Sequence, residues 1–527
     1  MQQSQSKQQV GGILGFIERI GNKIPDITIL FISAFLLVCV VSAVLAQIHF
    51  NYVHPATGRP IEITNMLSGK ALVDLMSKMV TNYANFPPLS MVIVATLGIG
   101  IADGSGYINT GLKKILSITP KVLITPVVIL VGMLSHLGPD SGYVIIIPIA
   151  AYMFYAVGKH PLAGIAASFA GIAGAFAANY TPSAIDPVIQ GFTQSAAQII
   201  DPGYQVNVLC NYFYAFASTF IVIGACWWVT EKITNPWLWK ACPIDEDLDL
   251  GNENNSSITP SENRAFKIAT AVLLLMLTGL AAALYPADSI LRAPDGVVAS
   301  FKAPIMQSIV SLIFIFAALV GLVYGISCGK FKSPKDVTAA MEEITKTLVQ
   351  LIVFYFFAAQ FLYAFGASNM GALIAVSGAE FLKSLNLPPQ VTVFGIIVFV
   401  ALLNLIITSA SAKWAILAPI FVPMLMAVGI APELTQVAFR VSDSAVNVVT
   451  PMFAFYPLII LYCQKYVKNA GIGTLSSMML PYTIALLVSL TFMLYLFWWL
   501  DIPLGFQADY VLSLIHISEP TRHSLIS

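Results

Sequence analysis

Charge is what this chain has least of. Asp, Glu, Lys and Arg make up 10% of its 527 residues, 26 acidic and 26 basic, and the formal net charge is zero. That leaves no basic footprint for nucleic acid. Cysteine is also scarce. The six (Cys39, Cys210, Cys226, Cys242, Cys328, Cys463) stand alone without a CxxC pair, so they read as core or surface thiols rather than metal or redox groups. Residues 1–10 are polar and Gln/Ser-rich, without an early apolar core and a small-residue cleavage site, so no signal peptide is expected to be removed. Walker, GxSxG and His/Cys metal-ligand motifs are missing as well. An enzyme, a resident cofactor and an ATP-driven pump are therefore not expected, and work must come from an ion gradient.

What is present is apolar. The chain is 57% hydrophobic, with a mean hydropathy of +0.82. Long apolar runs rather than alternating ten-residue segments exclude an outer-membrane barrel and indicate an all-α polytopic membrane protein. Lys and Arg at the segment ends set the expected path, with the N-terminus (1–26) on the cytoplasmic side. A first helix (27–50) and an external segment occupy 27–86. A first repeat spans 87–231, with a hairpin at 122–157 and a discontinuous helix at 162–199. Residues 232–346 hold an acidic cytoplasmic linker, read as a solvated loop, and two connecting helices. A second repeat spans 347–505, with a hairpin at 391–428 and a discontinuous helix at 434–462. The sum is about nine crossings plus two hairpins. In the tail (506–527), residues 512–527 resemble the translation of a sequencing-library adapter and are read as an artefact.

The two repeats carry the same punctuation. Tyr143/Trp414, Pro148/Pro419, Gly158/Gly429 and Pro161/Pro432 are each 271 apart (414 − 143 = 271), and Thr181-Pro182 and Thr450-Pro451 are 269 apart (450 − 181 = 269). One repeat starts outward-to-inward and the other inward-to-outward, so they are expected to be inverted. Interrupted apolar segments at matching places in two halves point to a transporter's binding site. Unwound backbone at membrane depth needs protein or a cavity around it. The hairpin tips add the hydroxyls Ser135, Ser141, Ser409 and Ser411. With carbonyls near Asn179 and Asn447 they could collect the oxygen ligands that sodium needs. The alternative is that the serines only let helices pack closely.

Ionisable residues inside apolar segments are costly and default to functional candidates. These are Asp103, Asp140, Asp186, Lys413, Arg440 and Asp443. Arg440 and Asp443, three apart on one helix, are expected to face each other, either as a structural pair or with Arg440 offering a fork to a substrate carboxylate. Asp443 and Asp186 are candidate proton or ion carriers. Asp140 sits on the first tip, and Asp103 is placed at the membrane interface. Trp414, at the second tip, either stacks on a substrate ring or packs.

Four stretches carry a resemblance: Ser409-Ala-Ser-Ala-Lys-Trp-Ala-Ile-Leu-Ala-Pro-Ile-Phe-Val-Pro-Met424, Phe439-Arg-Val-Ser-Asp443, Gly158-Lys-His-Pro-Leu-Ala-Gly164 and Gly471-Ile-Gly-Thr-Leu475. They resemble the p-aminobenzoyl-glutamate transporter (AbgT) family of the wider ion-transporter superfamily, over residues 15–505. The resemblance implies a homodimer in lipid in the bacterial inner membrane, with nine transmembrane helices and two hairpins. It implies proton- or sodium-coupled movement of p-aminobenzoyl-glutamate or export of sulfonamide antimetabolites. The family's functional positions fall on Asp186, Asn404, Ser411, Trp414, Arg440, Asp443 and Pro451. Lys413 departs from the neutral residue usual at that tip position. It would repel sodium, bind a substrate carboxylate, or snorkel to the surface. A dicarboxylate or organic-anion symporter of the same superfamily would share the fold, while a channel would need a continuous polar lining.

Overall fold

The computed structural model describes residues 26–54, 58–135, 141–245 and 258–512. Among them there is no strand, only two isolated bridges, Val53 with Pro60 and Ile430 with Val511. Helices α1 (Ile27–Leu45), α2 (Gly69–Ala84), α3 (Pro87–Ser105) and α4 (Tyr107–Ser117) lead into the first hairpin, α5 (Ile124–Leu134) and α6 (Ser141–Ala156). Then come α7 (Pro161–Ala173), α8 (Ile185–Ala197), α9 (Tyr212–Val229), α10 (Asn235–Ala241), α11 (Pro260–Leu284), the single turn α12 (Pro304–Gln307) and α13 (Ile309–Ser327). The second part holds α14 (Pro334–Ala367), α15 (Met370–Ser384), α16 (Pro389–Asn404), α17 (Ala410–Met426), α18 (Pro432–Val446), α19 (Tyr456–Gln464) and α20 (Ile472–Trp499).

Seven helical stretches are long and apolar enough to cross a membrane by length and composition: Ile27–Leu45, Gly69–Ser105, Tyr212–Ala241, Pro260–Leu284, Ile309–Ser327, Pro334–Ala367 and Ile472–Trp499. Four shorter apolar helices, Lys121–Leu134, Gly142–Ala156, Pro161–Ala173 and Ala410–Met426, are hairpin arms and the first half of a broken helix. The sequence reading did not anticipate α15. It folds back on α16 with a bend of 117°, because Asn386 takes a positive φ of 48° and Pro388 and Pro389 can only open a new helix. Of the tail, residues 513–527 lie outside the described ones. The Leu512 amide donates to the Gly429 carbonyl at 2.8 Å.

Burial is graded inward. On α1, Leu36, Leu37, Val40 and Val44 are more than half exposed, and α11 buries only Ala265 and Ala269. Such bare apolar faces suit acyl chains. In contrast, every residue of α7 and of α18 is buried, including Glu433, Arg440 and Asp443. The two parts interlock around these inner helices. The second hairpin's α17 packs on α8 of the first part, and α19 of the second packs on α6 and α7 of the first.

Glycine permits the closest approaches. A Cβ on Gly98 would stand 2.4 Å from the Phe314 carbonyl oxygen, where α3 crosses α13, whereas one on Gly224 would meet nothing within 4 Å. Gly98→Ala should therefore lower stability by about 1–3 kcal/mol through forced backbone shifts, and Gly224→Ala should be neutral. Thermal unfolding in detergent checks this; equal midpoints for both variants would contradict the packing described.

Candidate substrate and ion-coupling site

Two unwound stretches meet at the centre. One joins α7 to α8, and the other joins α18 to α19. Glycine and proline explain the stops: Gly174 ends α7, and Pro451 follows α18. Each break frees backbone groups that must be answered inside the protein.

Arg440 answers the first break. Its Nη1 lies 2.8 Å from Asp186 Oδ1, and its Nη2 donates to the Phe176 carbonyl at 3.0 Å. Asp186, in the first turn of α8, turns its other oxygen back on the loop. Oδ2 accepts from the Ser183 amide at 2.7 Å and from the Ser183 hydroxyl at 3.0 Å. Asn179 Nδ2 donates to the same hydroxyl at 3.3 Å. A side chain of α18 thus holds the loop of the other part in shape.

Asp443 faces the second hairpin. Lys413 Nζ lies 2.6 Å from Asp443 Oδ1 and donates to Asn404 Oδ1 as well. Asn404 Nδ2 donates to the Asp443 carbonyl at 2.9 Å and to Asn447 Oδ1 at 3.1 Å. Asn447 Nδ2 closes the ring on Asp443 Oδ2 at 3.2 Å. Both hairpin arms, α16 through Asn404 and α17 through Lys413, are tied to α18. Lys413 is 1% exposed, so it does not snorkel.

These contacts correct the expected Arg440–Asp443 pair. Spacing of i,i+3 permits contact, but on a helix buried all round each side chain also has neighbours from other elements. Arg440 reaches the first break and Asp443 the second hairpin. Trp414 is fully buried. Its ring stacks on Phe439 with centroids 4.5 Å apart, and its Nε1 donates to Thr193 Oγ1 at 2.9 Å. Of the two readings offered for it, the packing one describes its surroundings here.

In front of this network lies a cavity of about 440 Å³, within the range usual for small-molecule sites. Ser135, Gly142 and Tyr143 line it from the first tip, and Thr408, Ser409, Ala410 and Ser411 from the second. The breaks contribute Phe176, Ser183, Ala184, Asn447, Phe453 and Phe455. α3 and α14 close the far side with Thr96, Thr347 and several aliphatic residues. The N-terminal ends of α6, α8 and α17 all reach this space, and among the described residues no charged side chain lines it.

Of the residues proposed from sequence, Ser135, Ser409, Ser411 and Asn447 line the cavity. Asn404, Lys413, Trp414 and Asp443 stand behind its wall. Asn179, Asp186 and Arg440 line a separate narrow crevice beside Asn211 and Tyr212. Asp103 and Pro451 line neither. Ser141 opens α6, but its side chain and all of Asp140 lie outside the described residues. Sequence reasoning missed Phe176, Ser183, Phe453, Phe455 and Thr347. Only their closeness to the breaks could have marked the first four.

Broken helices and apolar hairpins enclosing a cavity inside an all-helical apolar bundle define a membrane transporter. The chain belongs to the AbgT putative transporter family, whose profile matches residues 12–512. It is 33% identical over 502 residues to the p-aminobenzoyl-glutamate transport protein of Escherichia coli (strain K12), covering 95% of this chain and 97% of that one. Among solved structures it is similar to the Neisseria gonorrhoeae MtrF protein, described as illuminating a class of antimetabolite efflux pumps, with TM-score 0.88 and 39% identity over 94% of this chain and 100% of that one. The Alcanivorax borkumensis YdaH transporter gives TM-score 0.86 and 37% identity over 91% of this chain and 100% of that one. Members of this family are transporters, not enzymes.

Removing one partner of a buried ion pair costs about 3–5 kcal/mol, because the other charge is stranded. Lys413→Met and Asp443→Leu should each destabilise by that order, and the double variant by clearly less than their sum. Thermal unfolding in detergent decides; simple additivity would show that the two groups are not coupled.

Proposed function

We propose that the cavity between the two hairpin tips binds p-aminobenzoyl-glutamate or a sulfonamide-like antimetabolite, and that the protein moves it across the bacterial inner membrane by alternating access. The observation that carries this is the composition of the wall. Phe176, Tyr143, Phe453 and Phe455 line the cavity, with Tyr143 and Phe455 stacked on each other at 4.3 Å between centroids, an aromatic cluster that suits an aromatic acyl or sulfonyl group. The N-terminal ends of α6, α8 and α17 bring the positive end of the helix dipole to the same space, which suits carboxylates. The E. coli relative's name and the description of MtrF point to the same chemical class. Family likeness supports a homodimer with nine crossings in inverted repeats and a cytoplasmic N-terminus. A small aliphatic dicarboxylate, the runner-up substrate, would make no use of the aromatic cluster on this wall.

For coupling, protons suit the site better than sodium. Asn404 Oδ1 and Asp443 Oδ1 converge as oxygen ligands would, but on the Lys413 ammonium. Asp186 is likewise held by Arg440 and Ser183. A lysine ammonium is a compact point charge, and in this seat it stands in for a mobile cation. These carboxylates as they stand do not fit sodium.

Two experiments test the reading. Phe453→Ala should weaken p-aminobenzoyl-glutamate binding several-fold, roughly 1 kcal/mol of stacking, and leave binding of free glutamate little changed. Trp414→Ala should reduce both together through packing. Equal loss of both ligands in Phe453→Ala would remove the ring from this wall. In proteoliposomes, wild-type transport should follow an imposed pH gradient and ignore sodium, while Lys413→Gln, with Asp443 left open, should become sodium-stimulated. Sodium-driven transport by the wild type would overturn the coupling proposal.

A further inference from the structure

Away from the transport cavity, three apolar segments finish side by side. α5 is entered through the short turn Lys121–Leu123, α6 runs out toward Lys159, and α9 ends at Val229. Between these ends lies an open groove of about 620 Å³ whose polar rim is Lys121, Lys159 and Lys232 and whose flank is Trp227 and Trp228. Glu231 is its single carboxylate. That charge is already matched, since Glu231 pairs with Lys159 and accepts a hydrogen bond from Thr125 Oγ1 at 2.5 Å. Lys121 and Lys232 are exposed, and neither has an ion-pair partner among the described residues. Two positive charges without an ion-pair partner among the described residues therefore face one space.

The floor of the groove is apolar and notched. Val122 is 79% exposed, and Gly224 leaves open space where a side chain would stand. The helix above it is irregular. One π turn, Thr230–Thr234, joins α9 to α10. It sets Glu231 toward Lys159 while Lys232 faces out. Such π turns cluster at functional positions. Exposed Trp237, Trp239 and Lys240 continue the aromatic and basic belt on α10. Tryptophan and lysine side by side where apolar helices end mark the depth of lipid headgroups.

We infer that this groove is a binding site for the headgroup of an anionic phospholipid, its phosphate between Lys121 and Lys232 and an acyl chain over Val122 and Trp228. A lipid seated there would bridge the first hairpin to α9, on elements that the substrate cavity does not share at this end.

The test uses the full chain purified in detergent, with phosphatidylglycerol and phosphatidylcholine of matched acyl chains added separately, and bound lipid counted by native mass spectrometry. The wild type is expected to retain phosphatidylglycerol preferentially. Lys121→Gln and Lys232→Gln should each cut that retention roughly five-fold. The pair Lys332→Gln and Lys335→Gln, exposed at another helix end, should leave it unchanged. Equal retention of both lipids by the wild type overturns the proposal, as does an equal loss in the control pair, which would mean general charge attraction. Displacement by glycerol phosphate at matched concentration would also overturn it, by making the groove a site for a free anion.

Discussion

Everything at the centre of this protein follows from the poor solvation of charge and broken backbone at membrane depth. A charge or a freed amide there must be answered by another part of the chain, or the segment cannot stay. The two ion pairs are those answers. Asp186 with Arg440 joins α8 to the distant α18, and Asp443 with Lys413 joins α18 to the preceding helix α17. Each makes a helix break tolerable by supplying opposite charge from a neighbouring helix.

α18 is the common member. It contributes Arg440 to the first break and Asp443 to the second hairpin, with Asn447 capping its end, and its fifteen residues are all buried. Buried salt bridges add little net stability over apolar packing but penalise every alternative arrangement. The pairs therefore specify which loop lies against which hairpin. Hydrophobic packing alone, among so many Ala, Leu, Ile and Phe side chains, would leave that register poorly defined.

Much of the architecture was legible because punctuation in an apolar chain is conspicuous. The serines at the tips and the Thr-Pro pairs stood out against long aliphatic runs, and the structure places helix ends and loops beside them, whereas Pro148 and Pro419 lie inside α6 and α17 without ending either helix. Partner choice was not legible. The i,i+3 rule sees only one helix, and Arg440's partner is 254 residues away (440 − 186 = 254), brought near by tertiary packing. The aromatic wall was hidden for a different reason. Phe176 and Phe453 are two of 32 phenylalanines, and nothing local separates a ring that faces a cavity from one that faces a helix. Trp414, by contrast, was conspicuous by rarity, and it sits on Phe439 behind the wall. Helix α15 escaped because a bent pair reads, in hydropathy, as flank rather than as an element.

The cavity's two sides are built differently, and that difference gives it a front and a back. One side is made of helix ends and unwound loops, where the Ser135 hydroxyl donates to the Gly132 carbonyl at 2.6 Å, Ser183 donates to Asp186, and Ser409 accepts from the Ala412 amide at 3.4 Å. The other is made of the flanks of continuous helices α3 and α14, whose backbone is closed on itself and whose Thr347 hydroxyl is already committed to the Ile344 carbonyl at 2.7 Å. An anionic group entering this space therefore meets the positive ends of helix dipoles on one side and only helix flanks on the other.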